Sequence, residues 1–224
     1  PNNPTGAVYT RENRLALLDL ADKYNLVLIS DEGYTDLAYD GRVPTLGSYN
    51  PDAPVISFSS LSKAYLAPGW RAGWMVFSGG ARLDGVLAAV KEMADGRICS
   101  VGPMQFAITA ALSGDKSHQE TFLRELRTRA DLTSRRLNAI KGISCVPPSA
   151  AFYAMPKVDL PPGRTDKEYV LGLLKATGLL CVYGSGFGTV PTDGYFRIVY
   201  LADPAELNSY FDEIEAFTND FLSR

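Results

Sequence analysis

The distribution of apolar and polar residues in the first half of the chain predicts alternating strands and helices. Residues 11–24 place leucines and an alanine at helical spacing between charged residues, which predicts an amphipathic helix. Short apolar runs follow at residues 26–29, 55–58 and 73–77, and each ends in small or polar residues. Such runs are typical of buried parallel strands that end at a polar rim. This order of elements indicates the α/β class.

From about residue 81 the pattern becomes helical, and the last part mixes helices with short strands. The sequence therefore predicts two domains. Residues 1–114 form part of an α/β domain with a mostly parallel sheet and flanking helices. Residues 115–224 form a smaller α+β domain that begins with a linking helix. From residue 81 onwards we predict helices at 81–95 and 103–113 in the first domain, and at 117–140, 166–177 and 204–222 in the second. Strands are predicted in the second domain at 143–146, 151–155 and 195–200.

Composition and charge exclude several classes of function. The 224 residues are 46% hydrophobic and 21% charged, ordinary values for a globular protein. A net charge of -3 gives no electrostatic basis for binding nucleic acid or an anionic membrane. His118 is the only histidine, so we expect neither a histidine-based triad nor a metal site. No apolar run is long enough to span a membrane, and we predict a cytoplasmic protein.

The three cysteines lie far apart and lack the spacing of a metal-binding motif. They are Cys99, Cys145 and Cys181. An odd number of scattered cysteines predicts buried free thiols in a reducing compartment rather than a disulfide framework.

Lys63 follows the second predicted strand and is the first candidate for catalysis. It ends a run of small hydroxyl residues, where a ligand has room and a primary amine can form a Schiff base with an aldehyde cofactor. Alone this motif is weak, since a surface lysine after a strand has the same pattern. Asp31 ends the preceding strand, where ligands of open α/β sheets bind. Its carboxylate can pair with the nitrogen of a pyridoxal ring, although a helix cap or a solvated loop carboxylate fits as well.

Further side chains fit the same ligand. Tyr34 can donate to the 3′ oxygen of a pyridoxal ring if the chain turns after Asp31. Arg71 follows a proline and a glycine that bend the chain, and its guanidinium fork matches phosphate oxygens. Asn3 offers an amide to the same ring oxygen, although its segment also fits a simple turn.

Together, the motifs around these residues resemble the class I and II aminotransferases of fold type I. The order and spacing match that family for NPTG at 3–6, DEGY at 31–34, SLSK at 60–63 and GWRAGW at 69–74. Residues 184–188 and 196–201 resemble the family's C-terminal domain. The resemblance implies a pyridoxal 5′-phosphate enzyme, in which residues 1–114 are part of the large cofactor-binding domain.

The resemblance also implies a role for each candidate residue. Lys63 is expected to be the Schiff-base lysine and to move a proton between substrate and cofactor. The other expected cofactor contacts are Asn3 and Tyr34 at the 3′ oxygen, Asp31 at the ring nitrogen, and Ser60 and Arg71 at the phosphate. Arg197, with Asn3, is expected to bind the substrate carboxylate. The alternative for Arg197 is a surface arginine on an edge strand.

The implied reaction transfers an amino group between an L-amino acid and a 2-oxo acid, in a homodimer. Residues 66–70 resemble alanine- and aspartate-type enzymes of prokaryotes, which favours those substrates. Two alternatives stay open at this point. One is a lyase or synthase with the same cofactor, and the other is a non-catalytic fragment or regulatory module of the same fold. Because the family has a long segment before its NPTG motif, we expect this chain to be an incomplete fragment or to need a missing partner.

Overall fold

The computed structural model describes residues 1–97 and 101–223. They form two compact units. One consists of Pro1 with Tyr9–Thr121, and the other of Asn2–Val8 with Phe122–Arg224. The predicted division after residue 114 stays a prediction, and each unit is described by itself.

The first unit contains a three-stranded sheet with the order β1-β2-β3. Its strands are β1 (Leu28–Asp31), β2 (Val55–Ser60) and β3 (Gly73–Phe77), and its helices are α1 (Arg11–Lys23), α2 (Asp84–Gly96) and α3 (Gly102–Ser113). β1 and β2 are parallel, whereas β3 runs antiparallel to β2, with Gly73 opposite Ser60. The prediction of a third parallel strand is therefore wrong, because an apolar run specifies a strand but not its direction.

α1 covers one face of this sheet. Its N-terminus is fixed by a capping box between Thr10 and Asn13. Leu18 on α1 packs with Val55 on β2 in a buried apolar cluster. The prediction that residues 26–29 are buried is wrong for Leu26, Val27 and Ile29, which are 50%, 47% and 74% exposed. Successive side chains of a strand point to opposite faces, so Ile29 faces away from α1.

The second unit is built on antiparallel strands and three helices. The helices are α4 (Ser117–Ala139, whose first residues belong to the first unit), α5 (Asp166–Thr177) and α6 (Pro204–Leu222), and the strands are β4 (Ile143–Ser144), β5 (Tyr153–Ala154), β6 (Lys157–Val158), β7 (Val182–Tyr183) and β8 (Phe196–Val199). β4 pairs with β6, and the second sheet has the order β5-β8-β7. β8 is thus a central strand, and the alternative of an edge-strand arginine at position 197 is wrong.

The core of the second unit is centred on the aromatic ring of Tyr169. The ring centroid lies 5.2 Å from that of Phe196 on β8 and 5.4 Å from that of Phe217 on α6. The Tyr169 hydroxyl forms a 2.7 Å hydrogen bond with the Thr218 hydroxyl, which satisfies a polar group that the core would otherwise leave unpaired. Burial raises the pKa of Tyr169 above its ordinary range. These contacts join α5, α6 and β8, so β8 is held rigidly from one side.

Cys145 and Cys181 are buried free thiols, as the sequence predicted, while Cys99 lies outside the described residues. Burial raises the pKa of each of the two thiols to about 11. Their reactive thiolate forms are therefore scarce at neutral pH.

We expect iodoacetamide at pH 8 to alkylate Cys145 and Cys181 about 100-fold more slowly in the native protein than in urea, from the difference in thiolate fraction. The unfolded thiols ionise at their ordinary pKa, whereas the folded thiols ionise only near pH 11. Between about pH 9 and about pH 11 the unfolded state therefore loses protons that the folded state keeps, and the free energy of unfolding should fall over that range. Peptide-resolved mass spectrometry measures both rates. Equal rates in native and unfolded protein would contradict the burial of these side chains.

Within the described ranges, no helix combines the length and the apolar character needed to cross a membrane. The same residues contain no cluster of three or more histidine, cysteine or acidic side chains that could hold a metal ion.

Candidate active site

The first unit brings Lys63 and Tyr34 together. Each follows the end of a strand, Tyr34 after β1 and Lys63 after β2, and these strands are parallel neighbours. The Lys63 Nζ lies over the Tyr34 ring, 5.8 Å from its centroid. Tyr34 is 6% exposed, so its ring is a fixed support for the lysine. Parallel strands end at the same edge of the sheet, which is why residues 29 positions apart meet here.

Asp31 is the last residue of β1 and pairs in register with Phe58. Its Oδ1 accepts a 3.1 Å hydrogen bond from the backbone N–H of Gly33, which turns the chain towards Tyr34. The side chain is exposed at the edge of the sheet. The chain therefore turns after Asp31. This turn is what Tyr34 needs in order to reach the same ligand as Asp31.

Glu32 holds this turn in place, a role that the sequence reasoning missed. Its side chain is buried at 6% exposure. Oε1 accepts hydrogen bonds from the Leu46 backbone at 2.8 Å, the Ser57 hydroxyl at 3.0 Å and the Ser30 hydroxyl at 3.1 Å. A buried carboxylate is costly unless its oxygens are paired, so these bonds tie the turn to β1, β2 and the segment at residue 46. The signal in the sequence was a second acidic residue, after Asp31, in the polar segment that follows the apolar run.

Ser60 ends β2 opposite Gly73, and the lack of a side chain at Gly73 makes room for it. A Cβ at position 73 would lie 2.7 Å from the Ser59 carbonyl oxygen and 3.1 Å from the Ser60 Cβ. The Ser60 hydroxyl accepts a hydrogen bond from the Ser62 backbone N–H at 3.2 Å. Ser60 and Lys63 thus belong to one tight turn after β2.

Arg71 lies at the end of the loop between β2 and β3, two residues before β3 begins. A 3-10 helix at Pro68–Trp70 precedes it, and Arg71 itself adopts a left-handed backbone conformation with φ of 53°. Its guanidinium turns back and donates to the Pro68 carbonyl at 2.7 Å. The Leu61 backbone N–H bonds to the Ala72 carbonyl at 3.0 Å, which places the Arg71 backbone beside the turn after Ser60.

The functional groups at this edge of the first sheet match those of pyridoxal phosphate. The edge of the first sheet carries an amine, a carboxylate and a phenol on adjacent turns, which match the aldehyde, the ring nitrogen and the ring hydroxyl of the cofactor. A hydroxyl and a guanidinium on the neighbouring loop match its phosphate. The residues are Lys63, Asp31, Tyr34, Ser60 and Arg71.

The second unit brings Asn3 and Arg197 together, although they are 194 residues apart. The Arg197 Nη1 donates to the Asn3 Oδ1 at 2.8 Å. The segment that carries Asn3 is held by Gly6, which packs closely against residues near β5. The Gly6 carbonyl also accepts a 2.9 Å hydrogen bond from the Ser149 backbone N–H. Phe196 and Ile198 flank Arg197 on β8 and are buried on the other face of the strand.

Two aromatic neighbours of Arg197 were not predicted. The guanidinium carbon lies 4.9 Å from the ring centroid of Tyr153 and 4.8 Å from that of Phe187. Both rings present a face to the cation. The phenylalanine in the 184–188 motif was a visible signal, but the sequence does not show which cation it contacts.

The sequence is similar to a known protein family and to curated proteins. The family model described as aminotransferase class I and II matches residues 1–214. A glutamate-pyruvate aminotransferase of Haemophilus influenzae is 36% identical, over 99% of this chain and 56% of that protein. An alanine aminotransferase of Mycobacterium tuberculosis is 35% identical, over 97% of this chain and 52% of that protein. The chain spans about half the length of the curated relatives it matches.

Solved structures give the same result. An alanine aminotransferase from Pyrococcus furiosus superimposes with a TM-score of 0.93 at 39% identity, covering 98% of this chain and 56% of that protein. An aspartate aminotransferase from Rhizobium meliloti superimposes with a TM-score of 0.83 at 32% identity, with coverage of 98% and 56%. The predicted fold, α/β with a smaller α+β part, is confirmed.

Proposed function

Because the chain belongs to the aminotransferase class I and II family, we propose that it is the part of a pyridoxal-phosphate-dependent aminotransferase that carries the cofactor lysine. One observation carries the proposal. The Lys63 amine lies 5.8 Å from the centre of the buried Tyr34 ring, at the sheet edge where Asp31 ends β1. An amine, a phenol and a carboxylate on adjacent turns are the set that a pyridoxal ring requires.

Each side chain has a separate task in this proposal. Asp31 accepts the hydrogen bond of the ring nitrogen and keeps that nitrogen protonated. Tyr34 and Asn3 orient the ring through its 3′ oxygen. Ser60 donates to the phosphate, and Arg71 exchanges its bond to the Pro68 carbonyl for a charge-assisted bond to phosphate oxygens.

Lys63 performs the proton transfer. When bound, pyridoxal phosphate supplies an aldehyde that bonds to amines and a ring that takes up the electrons of a broken Cα–H bond. With the cofactor in place, the Lys63 Nζ would take the proton from the substrate Cα and would deliver it to the cofactor carbon that had carried the aldehyde, so that the lysine is regenerated. Tyr34 beneath the amine limits the positions that Nζ can occupy, which orients it for this step.

We propose alanine with 2-oxoglutarate, and glutamate with pyruvate, as the substrates. The names of the Haemophilus influenzae and Mycobacterium tuberculosis relatives support this choice. All these substrates share a carboxylate beside the reacting carbon. Arg197 binds that carboxylate, because a guanidinium offers a fork of donors that matches it.

We further propose that the protein is a cytoplasmic homodimer that binds neither nucleic acid nor membranes. Resemblance to the family supports the dimer. The buried free thiols of Cys145 and Cys181 support a reducing compartment, and the net charge of -3 supports the absence of polyanionic partners.

A half-reaction screen tests the proposal. The intact protein is loaded with pyridoxal phosphate and mixed with each amino acid in turn, and the visible absorbance of the bound cofactor is followed. We expect alanine and glutamate to convert the cofactor to its amine form, and pyruvate or 2-oxoglutarate to restore it. Release of pyruvate and ammonia without transfer to an oxo acid would instead support the lyase alternative. Failure of the intact protein to bind the cofactor would support the non-catalytic alternative.

A further inference from the structure

Arg197 has an unusual environment for an arginine on a central strand. Its guanidinium carbon lies within 5 Å of the ring centroids of both Tyr153 and Phe187. Nη1 donates to Asn3, and Nε is buried with no hydrogen-bond partner among the described residues. Both ring faces lie against the guanidinium, so a hydrogen-bond acceptor has to approach its N–H groups from a side that the rings leave open.

The Tyr153 ring is anchored by burial, whereas the Phe187 ring is 38% exposed and is placed by the backbone that carries it. Tyr153 lies on β5, is 6% exposed and packs against Phe152 with ring centroids 4.6 Å apart. Phe187 ends a 3-10 helix, Gly184–Phe187, that is hydrogen-bonded to the first residue of α5.

The tie is made by Asp166, which is fully buried. Its carboxylate accepts from the Ser185 backbone N–H at 2.6 Å and from the Ser185 hydroxyl at 3.0 Å. The first residue of the 3-10 helix, Gly184, is tightly packed as well, because a Cβ there would lie 2.6 Å from the Tyr195 carbonyl oxygen. The backbone that leads to Phe187 is thus fixed by contacts independent of Arg197.

We propose that Phe187 and Tyr153 are positioning residues that hold the Arg197 guanidinium in the single orientation that receives a carboxylate. This inference rests on the proposed function of Arg197 and extends it to two residues that do not touch the substrate. An arginine without such support has several rotamers and loses that freedom on binding, whereas one held by aromatic faces is already ordered.

The test uses propionate, a carboxylate that has neither an amino nor a carbonyl group and cannot react. Its dissociation constant is measured on the intact, cofactor-loaded protein from the NMR signal of the Arg197 Nε–H. We expect Phe187→Leu to weaken propionate binding about threefold to tenfold, since the arginine must then be ordered on binding. Phe187→Tyr keeps the ring and is expected to restore most of the affinity.

A kinetic readout separates positioning from catalysis. Phe187→Leu should raise KM for the amino acid and for the 2-oxo acid by a similar factor, while kcat changes less. An unchanged propionate affinity in Phe187→Leu, or an equal loss in Phe187→Tyr, would overturn the inference. Propionate binding that depends on Phe187 in a protein without amino transfer would support the inference and count against the proposed function.

A measurement on the unchanged protein covers the case in which Phe187→Leu does not fold. Ring currents from two aromatic faces should shift the Arg197 Nε–H signal upfield of the other arginine signals. A signal at the usual arginine position would overturn the inference, whatever the variants do.

Discussion

Replacing Lys63 by alanine is expected to lower the rate of amino transfer by about 10⁴-fold or more, the largest effect of any single substitution in this chain. The substitution removes both proposed roles of Lys63, because the same Nζ binds the cofactor and moves the substrate proton. Stopped-flow measurement of the half-reaction gives the rate. Loss of the cation–π contact between Lys63 and Tyr34 is expected to cost only about 0.5–1 kcal/mol at an accessible site, and circular dichroism of the variant checks that the fold persists.

Lys63→Arg is the matched control. It keeps a positive charge near the Tyr34 ring but removes the primary amine. We expect it to be as inactive as Lys63→Ala, since a guanidinium stays protonated and cannot take up the Cα proton. Activity of Lys63→Arg within tenfold of the unchanged protein would show that charge, and not the amine, is what position 63 supplies.

Gly6→Ala is expected to cost about 2–5 kcal/mol of folding free energy in the second unit. Gly6 has a φ of +70°, where an alanine loses about 1–2 kcal/mol. A Cβ there would also lie 2.5 Å from the Pro148 Cβ and 2.7 Å from the Tyr153 carbonyl oxygen. Such overlap typically adds about 1–3 kcal/mol. Urea unfolding and hydrogen exchange at the Ser149 amide, which bonds to the Gly6 carbonyl, measure the effect.

Gly163→Ala separates the two causes. Gly163 has a φ of +82°, but no atom lies within 4 Å of the position of its Cβ. We expect it to cost only the conformational part, about 1–2 kcal/mol. Equal costs at positions 6 and 163 would contradict the close packing of the NPTG segment. The Gly6 variant should also raise KM, because the displaced segment carries Asn3, the partner of Arg197.

The elements with a strong local signal could be predicted from the sequence. α6 begins at Pro204 and ends at Leu222, as predicted, because Asp203 caps the helix and Pro204 suits its first turn. The two-residue strands β6 and β7 were missed, since so short a strand shows no alternation. The direction of β3 was also missed, because strand direction depends on how the loop at residues 61–72 packs and not on the apolar pattern.

The candidate site divides in the same way. Residues on adjacent turns, such as Asp31 and Tyr34, could be grouped from spacing alone. The shared role of Asn3 and Arg197, 194 residues apart, followed only from the family resemblance. The aromatic neighbours Tyr153 and Phe187 could not be predicted, because no local pattern shows which side chains face Arg197. The left-handed conformation of Arg71 was equally hidden, since a residue other than glycine rarely adopts it and the sequence carries no sign of it.

Peptide mapping after borohydride reduction tests the central claim most directly. Reduction of the intact, cofactor-loaded protein fixes a pyridoxyl group to whichever lysine holds the cofactor. The account predicts that mass spectrometry finds this group on Lys63 and on no other lysine of the chain. A pyridoxyl group on another lysine, or on none, would contradict it.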